Sequence, residues 1–226
     1  MPEPVRRIDT PVGPASAEVF PAVVRGRKRA ARTLVLGHGA GGGTDARDLQ
    51  ALAAALPERG TTVVLVEQPW RLAGRKVASP PATLDVAWTA VLADLRAAKL
   101  LTPQLVVGGR SAGARVACRT ATAVGATACL ALSFPLHPPG KPERSRVDEL
   151  RGAGVPTLVV QGRKDSFGGP AEFPPRTAIV EVPDADHGFK VPARSALGQA
   201  GALELIVAGV ADWLDGLPAS RSPGQG

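Results

Sequence analysis

Short apolar runs alternate with amphipathic helical stretches along this chain, and that alternation restricts its fold more than any other feature. Runs rich in Val and Leu, bounded by Gly or Pro, cover residues 33–37, 62–66, 104–108, 128–133, 156–161 and 177–182. Each is too short for a helix and reads as a strand buried on both faces. Helical periodicity fills the gaps. Residues 44–56 place Leu49, Leu52, Ala53 and Leu56 on one face. Residues 79–100 do the same with Leu84, Trp88, Val91, Leu92 and Leu95, with Ser79 as N-cap before Pro80. Residues 195–217 carry Leu203, Ile206, Val210, Trp213 and Leu217. Such alternation argues for a mostly parallel sheet covered by helices on both faces. Residues 5–8 and 17–24, split by a Pro/Gly-rich turn, read as an antiparallel hairpin leading into it. Nothing divides the chain internally, so residues 1–217 are expected to form one α/β domain, with 218–226 a disordered tail.

The loop after the first parallel strand, Gly37-His38-Gly39-Ala40-Gly41-Gly42-Gly43, supports two chemistries. Gly37, Gly39 and Gly42 spell G-x-G-x-x-G, which cradles a dinucleotide pyrophosphate, and Glu67 ends the next strand as a ribose-binding acid would. His38-Gly39-Ala40-Gly41 also spells H-G-x-G, a loop whose amides receive an oxyanion. A second motif decides between them. Gly109-Arg110-Ser111-Ala112-Gly113 is a G-x-S-x-G between a strand and a helix, the setting of a nucleophile elbow. A serine nucleophile needs a base, and His187 lies in the loop after the last strand. The base needs an acid to fix its tautomer, and Asp165 lies just past the strand before it. The order Ser111, Asp165, His187 is the one an α/β-hydrolase uses. Asp184 and Asp186 are rival acids, but so close to the histidine they are expected to shape its loop. His137 is a poor rival base, because it precedes the acid. The oxyanion hole then takes the N–H of Ala112 and that of Ala40, with Gly41 as second choice, and His38 anchors the loop. The dinucleotide reading, a nicotinamide oxidoreductase, would leave Ser111, Asp165 and His187 as coincidences.

Composition removes other functions. The net charge is +7, but the basic residues are scattered, and the densest run, Arg25 to Arg29, falls in an expected turn. There is no Tyr and few Phe to stack on bases, so nucleic acid is not an expected partner. His38, His137 and His187 stand far apart without metal-ligand spacing, so neither metal nor cofactor is expected. No window is apolar enough to span a bilayer, and the first residues lack a signal-peptide core, which points to a cytoplasmic protein without a membrane partner. Cys118 and Cys129 read as two small buried hydrophobes. Trp70, Phe134, His38 and Arg110 are expected around the pocket, with Arg71 and Arg163 at its rim. About ten residues follow Phe134 before the next helical pattern near Glu143, too few for a lid domain. The oligomeric state is left open.

Six blocks taken in order, LGHGAGGG, VEQPWRLAGRK, VGGRSAGARVA, SFPLHPPGKPE, VVQGRKDSFG and ADHGFKVP, resemble a small capless branch of α/β-hydrolases. The branch is grouped near the dienelactone hydrolases and includes KANSL and testis-expressed-like proteins. The resemblance runs from Thr33 to Trp213. It implies an eight-stranded core and the trio Ser111, Asp165 and His187. Dienelactone hydrolases themselves use a cysteine nucleophile, where this chain has Ser111. Members of the resembling branch are mostly of unassigned substrate, and some eukaryotic ones are subunits of chromatin complexes. The expected function is therefore a serine hydrolase acting on a small or accessible carboxylic ester or thioester. The alternative is a binding or scaffold protein on the same fold.

Overall fold

The computed structural model describes residues 5–24 and 32–218. The basic run at 25–29 and all but the first residue of the expected tail lie outside them. One eight-stranded sheet organises the described residues: β1 (Arg6–Ile8), β2 (Ala15–Phe20), β3 (Arg32–Gly37), β4 (Thr61–Glu67), β5 (Leu105–Arg110), β6 (Ala128–Leu132), β7 (Thr157–Gly162) and β8 (Ala178–Val182). Their order in space is β1-β2-β4-β3-β5-β6-β7-β8. β1 and β2 pair antiparallel, as do β2 and β4, and the rest of the sheet is parallel.

The helices are α1 (Arg47–Ala55), α2 (Pro69–Leu72), α3 (Pro81–Ala97), α4 (Ala112–Thr120), α5 (Val147–Arg151) and α6 (Gly198–Asp215). Alternate side chains of each parallel strand feed opposite cores. Val35, Val64, Val107 and Cys129 pack with Trp88, Leu92 and Val116 on the face of α3 and α4. Leu34, Leu36, Val106 and Leu130 pack with Leu49, Leu52, Ile206 and Val210 on the face of α1 and α6. Both faces are covered, which is why the strands read as continuous apolar runs. No described helix is long and apolar enough to cross a membrane.

Several boundaries differ from the sequence reading, each for a physical reason. β2 ends at Phe20 and not at residue 24, because Pro21 has no N–H for the ladder. α3 starts at Pro81, and Pro80 takes the cap position expected for Ser79. Pro80 itself precedes a proline, which drives it out of the helical region to ψ 153°. The buried face of α6 is Ala202, Ile206, Val210, Ala211 and Leu214, while Leu203, Trp213 and Leu217 are half-buried. That helix is apolar nearly all round, so periodicity alone does not choose its inner face. Residues 69–72, expected as loop, form the single turn α2.

The chain leaves β3 toward β4 on one side and later enters β5 on the other. The carboxyl ends of β3 and β5 are thus a topological switch point, where crevices open in sheets of this kind. The glycine-rich loop and the G-x-S-x-G turn both lie there.

Candidate active site

Ser111 occupies the turn from β5 to α4 with φ 53° and ψ −109°, a strained conformation for a residue with a side chain. Two glycines make the turn possible. A Cβ on Gly113 would stand 2.5 Å from the Gly37 oxygen, and one on Gly109 would stand 2.6 Å from the same atom. β3, β5 and α4 therefore meet backbone to backbone below the serine.

The histidine comes from the other side. His187 Nε2 is 2.9 Å from Ser111 Oγ, and His187 Nδ1 is 2.8 Å from Asp165 Oδ2. A carboxylate only accepts, so Nδ1 carries the proton and Nε2 is left to accept from the serine hydroxyl. The Asp165 side chain is fully buried and accepts two further hydrogen bonds, from the Phe167 N–H at 2.8 Å and from Gln161 Nε2 at 2.8 Å. Phe167 also lies against the imidazole, with ring centroids 4.2 Å apart. The rival acids do other work. Asp184 pairs with Lys164 at 2.7 Å, and Asp186 accepts the N–H groups of Gly188 and Lys190, which shapes the loop that carries His187. His137 is held by Glu172 and the Pro138 carbonyl, each at 2.9 Å, so its ring nitrogens serve the loop after β6.

The glycine-rich loop runs beside the serine. A Cβ on Gly39 would lie 3.4 Å from Ser111 Cβ. His38 is buried beneath this loop, its Nε2 accepting the Gln68 N–H at 3.1 Å and its Nδ1 donating to the Gly39 carbonyl at 2.9 Å. That second bond turns the Gly39 oxygen toward the imidazole. Because the peptide is planar and trans, the Ala40 N–H points the opposite way. Ala40 and Gly41 are exposed. Ala112 opens α4, so its N–H is one of the first-turn amides without a helical partner.

Burial holds the His38 imidazole below its ordinary pKa of 6.5 and keeps it neutral. A lowered folded value means that its stabilising effect is complete above about 6.5 and is lost as pH falls through the folded value. Urea midpoints of the wild type should therefore fall as pH drops below that range. The fall should be shallower in His38→Gln, and parallel curves would remove the loop-anchor role.

Some expected pocket residues lie elsewhere. Phe134 is fully buried and packs edge-on to Phe173, so it does not line the site. It follows a strand whose side chains are all inside, and its own side chain continues that core. Trp70 is 4% exposed and packs against the His38 ring, and with His38 it lines a small cavity beside Ala112 and Gly113. Arg110 is near the site, and its Nη2 donates to the His187 carbonyl at 3.0 Å. Its Nε stands 3.6 Å from Asp48, a carboxyl that burial pushes above its ordinary pKa. Arg110, Asp48, Arg47 and Lys190 line a polar cleft of about 360 Å³. Arg71 pairs with Glu67 and Arg163 with Glu181. The sequence reading gave no role to Gln161 or Phe167. A polar residue closing an otherwise apolar strand, and an aromatic two positions after the acid, were the available signals.

No curated protein is significantly similar to the chain. Among solved structures, a serine hydrolase without lid from Xanthomonas campestris is 22% identical, with 96% of each chain covered and a TM-score of 0.65. Est1E from Butyrivibrio proteoclasticus is 15% identical, covering 93% of this chain and 97% of that one, with a TM-score of 0.71. A dienelactone hydrolase from Anabaena variabilis is 16% identical, covering 95% and 97%, with a TM-score of 0.68. These likenesses are of fold. The alpha/beta hydrolase domain family matches residues 30–215, most of the sequence, and the chain belongs to that family.

Proposed function

We propose that the protein is a serine hydrolase that cleaves a small or accessible carboxylic ester, or thioester, through an acyl-enzyme. The observation that carries this reading is the unbroken relay from Ser111 Oγ through His187 to Asp165, with bonds of 2.9 and 2.8 Å. Ser111 Oγ attacks the acyl carbon as its proton passes to His187 Nε2. Asp165 holds the imidazolium that results. The carbonyl oxygen becomes an oxyanion met by the N–H groups of Ala40 and Ala112, with Gly41 next in line. His187 then gives its proton to the leaving group as the acyl–oxygen or acyl–sulfur bond breaks. Water, deprotonated by the same nitrogen, attacks the acyl-serine; the acyl–Oγ bond breaks as His187 returns that proton to Ser111, and the acid is released.

Residues 133–146 pass from β6 to α5 without a further helix or strand, which leaves the serine accessible and favours accessible esters. Arg110 stands at the edge of this site. A cytoplasmic setting belongs to the same reading. So does a place in the capless branch near the dienelactone hydrolases, which the six sequence blocks support.

Intact mass after treatment with a fluorophosphonate tests the proposal. One adduct is expected on the wild type and none on Ser111→Ala. A folded wild type that takes no adduct would leave the scaffold reading in its place.

A further inference from the structure

β7 is apolar and buried from Leu158 to Val160, and then carries Gln161, which has no exposed surface. Its Nε2 faces three oxygens: Asp165 Oδ2 at 2.8 Å, the Gly168 carbonyl at 2.7 Å and the Phe134 carbonyl at 3.3 Å. Three acceptors around one nitrogen settle the orientation of the amide, since a flipped oxygen would meet all three. The opposite end of the amide is poorly served. Gln161 Oε1 is buried with no hydrogen-bond partner among the described residues. An unmet buried acceptor is a cost that an apolar residue of the same size would not carry. Packing alone therefore does not account for a glutamine here, whereas the donor end does.

That donor acts on the carboxylate that orients the base. Asp165 Oδ1 takes the Phe167 N–H, and Oδ2 takes both Gln161 and His187. Without Gln161, the only other bond on Oδ2 comes from the imidazole whose place is to be fixed. The carboxylate could then turn about its Cβ–Cγ bond. Gln161 also ties the Phe134 carbonyl, in the loop after β6, to the acid turn, and that turn carries Phe167 against the imidazole.

We infer that Gln161 is the positioning residue of the Asp165–His187 pair. It acts through the carboxylate and, being fully buried, touches no substrate. The inference rests on the hydrolase reading for its consequence in rate, though not for its geometry.

The test uses Gln161→Met, which keeps the length of the side chain and removes the donor. Proton NMR reads the His187 Nδ1–H, expected far downfield in the wild type because it is held on a carboxylate. In the variant that signal should move upfield or vanish into exchange with water. Labelling of Ser111 by a fluorophosphonate should slow on the order of 10²-fold, the usual result of a small misplacement of a reacting group. Melting should remain well above the assay temperature. A variant that keeps both the signal and the labelling rate overturns the inference, as does a wild type without the signal. A wild type with the signal but no labelling sinks the hydrolase reading instead, and the NMR comparison still decides Gln161. Should Gln161→Met not fold, Gln161→Glu carries the same test. Its O–H donates toward Asp165 only while protonated, so its signal and labelling rate, relative to wild type, should fall as pH rises. A ratio flat with pH overturns the inference.

Discussion

Ser111→Ala is expected to lower kcat on p-nitrophenyl acetate by about 10⁶-fold, and Asp165→Ala by about 10⁴-fold. The difference follows from the relay. In the proposed mechanism the serine forms the bond to the acyl group, and no neighbour can replace it. Asp165 acts one step removed, through the tautomer of His187, and Phe167 still holds the ring from one face at 4.2 Å. Groups that act as a unit are not additive. The variant lacking Ser111, His187 and Asp165 together should thus be no slower than Ser111→Ala alone. Activity left in all of these is expected to come from the amides of Ala40 and Ala112, which substitutions at the trio leave in place. If the three losses multiplied, the residues would be acting separately and the relay would be wrong.

Gly113→Ala should cost about 3 kcal/mol of stability or more. The added Cβ would stand 2.5 Å from the Gly37 oxygen, 2.6 Å from the Gly37 carbon and 2.9 Å from the His38 oxygen. All three are backbone atoms, so no side-chain rotation relieves the overlap. α4 or the end of β3 must move, and β3 is hydrogen-bonded on both sides, to β4 and β5. Gly41→Ala is the control, since a Cβ there meets nothing within 4 Å. Urea midpoints for the pair should separate clearly, with Gly41→Ala close to wild type. Equal midpoints would mean that the elbow is looser than its geometry indicates.

The fold was legible where the physics is one-dimensional. A strand buried on both faces is apolar at every position, so β3 to β7 showed themselves as Val- and Leu-rich runs. The elbow was legible because a strained serine needs small residues on either side, and Gly109 and Gly113 stand in sequence with it. The family match at residues 30–215 agrees with that reading of the fold. What was hidden depends on neighbours distant in sequence. Phe134 follows a strand at the end of the sheet where the site forms, and position alone suggested a pocket wall. Its side chain instead turns inward to Phe173. Gln161 was hidden because its bonds depend on how the acid turn folds back to bring Asp165 and Gly168 to it, and on the Phe134 carbonyl 27 residues away. The inner face of α6 was hidden because nearly every side of that helix is apolar.

The candidate site draws Ser111 from the middle of the chain and His187 from near the end, 76 residues later. Synthesis proceeds from the N-terminus at about 5–20 residues per second, so Ser111 leaves the ribosome roughly 4–15 s before His187. β3, β4, β5 and the elbow can pair in that interval, while β7 and β8 are still to be made. On the proposed mechanism a nascent chain thus carries an unarmed hydroxyl, and only a nearly finished molecule brings the imidazole to it.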